Sequence, residues 1–237
     1  MRPIQTILLL AILLHACGPM RQIQKVESQI PVLGSIGKQQ SKLFKKDFQK
    51  MGEPILAAPI TVSIQSVPLT SGMLAKYKKY REKQGLEPLV VQNDTTKSVM
   101  PHYFELTITD AVGFTTQLNH PDNQAVKDYL QEDTDLVLLS KISFKANAEV
   151  SERIQSSDYF YLNTDAKGSL SLVAGDNFTI KMSDLEVFDF ETAKFCWKKD
   201  KRGRLEIGHI LMDGNTCPGT TEANPKKLVR TPDYLKL

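Results

Sequence analysis

The sequence predicts an α+β protein with a mainly antiparallel sheet and two to three helices in the N-terminal half. Several short segments alternate apolar and polar residues, which is typical of half-buried strands. Helical spacing of apolar residues occurs only in the first part of the chain, and turn residues rather than helices separate the later segments. Helices followed by a run of strands indicate an α+β organisation.

The first predicted helix covers residues 38–51. Phe44, Phe48 and Met51 recur there at positions i, i+4 and i+7. Gly52 and Pro54 follow at positions that end a helix. We therefore expect a short amphipathic helix ahead of the main domain.

Two further helices are predicted at 71–84 and 122–132. The first places Met73, Tyr77 and Tyr80 on one face and ends at Gly85. The second begins after Pro121, a residue favoured in the first helical turn.

The predicted strands share an alternating pattern of apolar and polar residues. They cover residues 60–66, 88–92, 103–109, 136–150, 158–162, 169–174, 177–182, 185–190, 194–198 and 204–212. Turns are expected at 165–168, 175–177 and 200–203, with a bend at 183–184. In the last strand His209 has the parity of Leu205, Ile207 and Leu211, which predicts a core histidine.

The N-terminus combines one basic residue, Arg2, with an apolar run over 7–14 and then Cys17. The run is too short to cross a bilayer, which requires about 20 residues. It has the form of an export signal. Without residues 1–16 the net charge falls from +3 to +2, because Arg2 is the only charged residue removed. Such a small charge gives no indication of a nucleic-acid partner.

The segment Leu14-His15-Ala16-Cys17 resembles the lipobox of bacterial lipoproteins. The resemblance implies cleavage before Cys17 and attachment of lipid to that cysteine. Gly18 follows rather than an aspartate, which by the same resemblance implies the outer membrane, on its periplasmic side. A plain secretory signal cut near Ala16, with Cys17 as a free thiol, is the alternative.

These boundaries give a four-part organisation. Its parts are a signal peptide over 1–16, a tether with a short helix over 17–54, an α+β domain over 55–212 and an irregular tail over 213–237. If Cys17 carries lipid, Cys196 and Cys217 remain as an even pair. In an oxidising compartment such a pair predicts one disulfide, which would hold the tail to the sheet.

No residue pattern predicts a catalytic site, a metal site or a cofactor. The histidines of the mature chain, His102, His120 and His209, lack the spacing of a zinc motif. A catalytic site would require His102 or His120 to meet Asp110 or Asp122 in space. The alternative function, a hydrolase or small-ligand binder, depends on that convergence.

Helix 71–84 is rich in cations that could contact an anionic surface. These are Lys76, Lys78, Lys79, Arg81 and Lys83. Near an anionic membrane each contributes about 1 kcal/mol. An ordinary solvated helix face is the alternative interpretation.

Residues 179–199 resemble a strand–turn–strand unit of the curli-secretion-channel family and of related penicillin-binding-protein activators. The matching positions are 189–194, with Ala193 in place of a glycine, and the preceding strand over 135–142. The resemblance implies an accessory envelope lipoprotein and assigns no functional residue. The sequence therefore predicts a non-enzymatic lipoprotein, membrane-bound through lipid, that binds an envelope protein or polymer.

Overall fold

The computed structural model describes residues 31–42, 45–87, 101–175, 177–212, 214 and 216–229. The predicted signal peptide, Cys17 and the strand expected at 88–92 lie outside these residues. Within the described ranges, no helix is long and apolar enough to cross a membrane.

Antiparallel β-structure dominates the fold, as the sequence predicts. The strands are β1 (Ile36–Lys42), β2 (Lys45–Gly52), β3 (Ile60–Pro68), β4 (His102–Ile108), β5 (Leu136–Ala146), β6 (Phe160–Thr164), β7 (Leu170–Ala174), β8 (Thr179–Ile180), β9 (Leu185–Lys199) and β10 (Leu205–Leu211). Their order is β10-β9-β5-β4-β3-β6-β7-β8, and the β1–β2 hairpin joins through β5.

Strand β5 pairs with three other strands. One of its edges pairs with β9 along most of its length. The other edge is shared, because β1 pairs with Leu136–Leu138 and β4 with 141–144. Most β5 side chains are buried, including Leu138, Ile142 and Phe144, which are fully inaccessible.

The helices are α1 (Ser71–Gln84), α2 (Ala111–Asn119), α3 (Gln124–Glu132), α4 (Ala148–Ser156) and α5 (Lys226–Val229). The predictions for 71–84 and 122–132 are confirmed, the latter as a 3₁₀ turn leading into α3. Thr70 caps the start of α1, and Gly85 ends it with a φ of 67°.

Helices are not confined to the N-terminal half, which corrects one part of the predicted fold class. The strand expected over 136–150 ends at Ala146, and α4 follows. The side chain of Asn147 accepts a hydrogen bond from Val150 N at 2.8 Å and caps this helix. Val150 and Ile154 are buried on its inner face.

The prediction of a helix over 38–51 is wrong, because residues 38–42 belong to β1 and residues 45–51 to β2; Phe44 lies outside the described residues. Phe48 packs edge-on against Phe190 of β9, with ring centroids 5.9 Å apart. Lys46 donates to Phe190 O at 2.6 Å, and its ammonium lies 5.0 Å from that ring. Contacts across the sheet thus override the local helical spacing, and this segment is part of the folded sheet.

The prediction of a buried His209 is also wrong. The register between β9 and β10 shifts between Ile207 and His209, which leaves Gly208 without a partner. The extra residue reverses the alternation, so His209 is exposed while Ile207 and Ile210 are buried.

The C-terminal segment is tied to β9 by covalent and hydrogen bonds. The predicted disulfide joins Cys196 to Cys217. Trp197 and Glu222 exchange two backbone hydrogen bonds of 2.8 Å, and α5 packs against β9 beyond them. The described part of the tail, predicted to be irregular, therefore contains one β-bridge and one short helix.

Candidate interaction surface around helix α1

Helix α1 lies on the polar face of the sheet. Cross-strand register places Glu105, Ser143 and Asp189 in one row and Thr107, Lys141 and Glu191 in the next. The opposite face carries the core residues Leu106, Ile142 and Phe190. Because side chains alternate between the two faces of a strand, these charged residues are concentrated on one face of the sheet.

Lys141 links two carboxylates on this face. Its Nζ lies 2.8 Å from Glu105 Oε2 and 3.5 Å from Glu191 Oε1. Burial lowers the pKa of Lys141, but hydrogen bonds and charges from both glutamates outweigh that effect and raise the pKa overall. The ammonium is thus held in its charged form by its neighbours.

An irregularity in β9 supplies the apolar contact for α1. The pairing with β5 shifts between Ser143 and Phe144, which leaves Phe188 without a cross-strand partner in β5. Its ring lies 5.2 Å from that of Tyr77 and 5.6 Å from that of Tyr103. A bulge of this kind redirects a side chain, and here it places an aromatic ring under the helix.

Tyr77 is the buried residue of α1, at 5% exposure. Its hydroxyl donates to Glu186, and Arg81 Nη1 lies 3.4 Å from Glu186 Oε1. Burial, followed by the bond to Glu186, raises the pKa of Tyr77 to about 12. Burial and a 2.8 Å bond to Glu105 likewise raise the pKa of Tyr103 to about 12.

The cations predicted to contact an anionic surface do not share one face of α1. Lys76 pairs with Asp189, and Arg81 contacts both Glu186 and the carbonyl of Glu87, so these two hold the helix to the rest of the fold. Lys78, Lys79 and Lys83 are exposed. Contact of these outer lysines with an anionic surface remains a prediction.

Among the described residues, one histidine–carboxylate pair of the alternative catalytic site meets, His120 with Asp122, and it lies exposed on the surface. Asp110 caps the start of α2, where it accepts from Gly113 N at 2.7 Å, whereas His120 follows the end of that helix. His102 begins β4, and Asp110 follows the other end of this strand, which is roughly 20 Å long, so these two residues are far apart. His120 Nδ1 lies 3.3 Å from Asp122 Oδ2, but both side chains are exposed.

Two open grooves flank the C-terminal segment. One has a volume of about 310 Å³ and lies between α3, β10 and α5. The other has about 220 Å³ and lies between Leu136, Phe195 and Ala223. Across the described ranges, no three His, Cys, Asp or Glu side chains are arranged to hold a metal ion.

The aromatic and charged cluster beneath α1 was not predicted from the sequence. Tyr77 and Glu186 are 109 positions apart, and the bulge that redirects Phe188 has no local signal.

Compared with known protein families, curated proteins and solved structures, the chain matches none.

Proposed function

We propose that this chain is a bacterial envelope lipoprotein, anchored through Cys17 in the outer membrane and facing the periplasm. In this proposal its folded domain acts as a non-enzymatic accessory or scaffold protein that binds an envelope protein or polymer. The Cys196–Cys217 disulfide is the observation that carries the proposal. Such bonds persist in oxidising compartments and are rare in the cytosol, so the bond supports export.

The geometry supports a surface-binding role more than a hydrolytic one. The polar cluster beneath α1 consists of satisfied pairs, since Lys141, Tyr77 and Lys76 each contact a carboxylate. These pairs position a helix on a sheet and leave its outer face to solvent. The one histidine–carboxylate pair that forms among the described residues, His120 with Asp122, is exposed at the surface, which favours the scaffold role over the hydrolytic alternative.

Metabolic labelling with a fatty-acid analogue tests the anchor. We expect the protein to incorporate the label and a Cys17→Ser variant to lose it. Gly18→Ala is the matched control, because it leaves the cysteine in place and should retain the label. Undiminished labelling of Cys17→Ser would show that Cys17 is not the lipid site.

Affinity capture of the lipidated protein from detergent-solubilised membranes tests the scaffold role. We expect one envelope component to be recovered reproducibly in a stoichiometric amount. The opposite result is capture of no partner together with turnover of a substrate by the purified protein. If His102→Ala or His120→Ala then abolished that turnover, the hydrolytic alternative would replace the scaffold role.

A further inference from the structure

The turn between β9 and β10 is the most basic short stretch in the described sheet. The seven residues from 198 to 204 contain five basic side chains and one acidic one. They form a hairpin turn closed by a hydrogen bond from Asp200 N to Arg204 O at 2.9 Å. Gly203 has a φ of 78°, the left-handed conformation that such a turn requires.

The single acid of this turn is committed to holding its shape. Asp200 Oδ1 accepts from the backbone N–H groups of Arg202 and Arg204, each at 2.8 Å, and Oδ2 accepts from Arg204 Nε at 2.9 Å. These bonds, the Arg204 backbone bond first, lower the pKa of Asp200. The carboxylate therefore organises the turn and does not pair with its other cations.

Three cations of the turn are displayed to solvent. Lys199, Lys201 and Arg202 are exposed, and no ion pair involves them in the part of the chain that the structure describes. By contrast, Lys198 forms an ion pair, with its Nζ 3.3 Å from Glu206 Oε1. The hydrogen-bonded turn thus presents these three cations to solvent on one loop.

Helix α5 lies next to this turn. Lys226 and Val229 line the same groove as Leu205, the residue that follows the turn and pairs with Lys199, and Glu132 is the acidic residue of that groove. Val229 is 59% exposed. The disulfide and the Trp197–Glu222 bridge hold this segment against β9, so the cations of the turn and of α5 are kept together.

We propose that this surface, defined by Lys199, Lys201, Arg202 and Lys226, contacts the phosphate headgroups of an anionic bilayer. The proposal rests on the lipid anchor proposed above. The chain between Cys17 and Pro31 can span at most roughly 50 Å, so an anchored domain would stay beside the membrane. An exposed aliphatic residue among cations suits the boundary between headgroups and acyl chains.

Lysine footprinting on vesicles tests the contact. The full-length protein is purified from membranes in detergent and reconstituted into vesicles of phosphatidylcholine alone or with phosphatidylglycerol. Acetylation rates are then compared by mass spectrometry. Near an anionic surface each cation raises the equilibrium constant for surface binding roughly fivefold. We therefore expect Lys199, Lys201 and Lys226 to be acetylated about fivefold more slowly on anionic vesicles than on neutral ones, and high salt to remove the difference.

Charge-matched variants identify the contacting surface. Lys199→Gln with Lys201→Gln should abolish the protection of Lys226, whereas Lys78→Gln with Lys83→Gln on α1 should leave it intact. Both pairs remove two exposed charges and leave Asp200 with its partners. Equal acetylation on both vesicle types overturns the proposal. Protection of Lys78 and Lys83 alone also overturns it and assigns the contact to α1.

Two further measurements separate this inference from the anchor and from other anions. Flotation with neutral vesicles in high salt reports the lipid anchor alone, so its failure is distinct from a failure of headgroup contact. Soluble polyphosphate provides the same anionic chemistry without a bilayer. If polyphosphate protects the turn lysines and anionic vesicles do not, the membrane contact is overturned in favour of an anionic polymer.

Discussion

The side-chain amide of Asn119 bonds to the backbone of Ile207 as a neighbouring strand would. Ile207 N donates to Asn119 Oδ1 at 3.0 Å, and Asn119 Nδ2 donates to Ile207 O at 2.8 Å. Ile207 lies in β10, the end strand of the sheet order. A residue at the end of α2 thus satisfies backbone groups at a sheet edge that would otherwise lack a partner.

Replacing Asn119 by Ala should lower the free energy of unfolding by about 1–3 kcal/mol, because both backbone groups of Ile207 lose a partner. Urea unfolding measures the change. Gln124→Ala is the control, since it removes an amide that bonds only to the exposed Asp128. Equal effects of the two substitutions would show that the bonds to Ile207 contribute no special stability.

Gly37 should tolerate no larger residue, because β2 passes directly over it. A methyl group there would lie 2.3 Å from Gln49 O and 2.7 Å from Phe48 Cζ. Gly37→Ala should lower the free energy of unfolding by about 1–3 kcal/mol through overpacking.

Gly52→Ala, in the same hairpin, is the matched control, since a methyl group there meets nothing within 4 Å. Both variants make the same chemical change in a strand. Thermal unfolding should therefore distinguish them. Equal midpoints would contradict the close approach of β2 to Gly37.

Loss of the disulfide should release the C-terminal segment. The bonded cysteines are 21 positions apart, so a Cys196→Ala, Cys217→Ala variant should lose about 3 kcal/mol of stability through the entropy of the unfolded chain. Trp197, the chain's only tryptophan, bridges to Glu222 and reports the release.

We expect the fluorescence emission of Trp197 to shift to longer wavelength in this variant, and in the native protein after reduction. Unchanged emission in both cases would mean that the Trp197–Glu222 bridge holds the segment without the covalent bond. Intact mass after alkylation, with and without reductant, verifies that the native protein carries the bond.

Stability should fall in alkaline solution as the pH rises from about 10 to about 12. Tyr77 and Tyr103 have pKa values of about 12, against 10.0 for an ordinary tyrosine, so the native state keeps protons that the unfolded chain loses. The free energy of unfolding therefore decreases with pH across this interval and is unaffected by these groups below it.

Urea unfolding at about pH 8 and about pH 11 measures the decrease. A Tyr77→Phe, Tyr103→Phe variant should show a smaller decrease than the native protein. Tyr129→Phe, at a side chain that is 64% exposed, serves as the control and should not alter it. A decrease of the same size in all three proteins would exclude the two buried hydroxyls as its cause.

Local alternation was sufficient to predict most of the sheet. Strands such as Ile60–Pro68 and His102–Ile108 have one buried and one polar face, which the residue pattern displays directly. Gly85 and the turn ending at Gly203 likewise follow from local conformational preference, since both glycines have positive φ.

The sequence-based prediction of the first hairpin fails because a distant contact determines its structure. The apolar partner of Phe48 is Phe190, and no local signal distinguishes that arrangement from a helical face. Helix α2 was missed because its sequence, AVGFTTQLN, contains β-branched residues and a glycine that disfavour helix. The buried Phe114 and Leu118 stabilise it instead through packing against the sheet.

The docking of the β1–β2 hairpin on β9 also constrains the order in which the fold can be completed. Lys46 and its partner Phe190 are separated by 144 positions, so a ribosome synthesises the hairpin long before the surface that receives it. Contacts this distant in sequence slow folding, because a large loop must close before they form. We therefore expect strands β1 and β2 to be fixed in place late, after β9 has been synthesised.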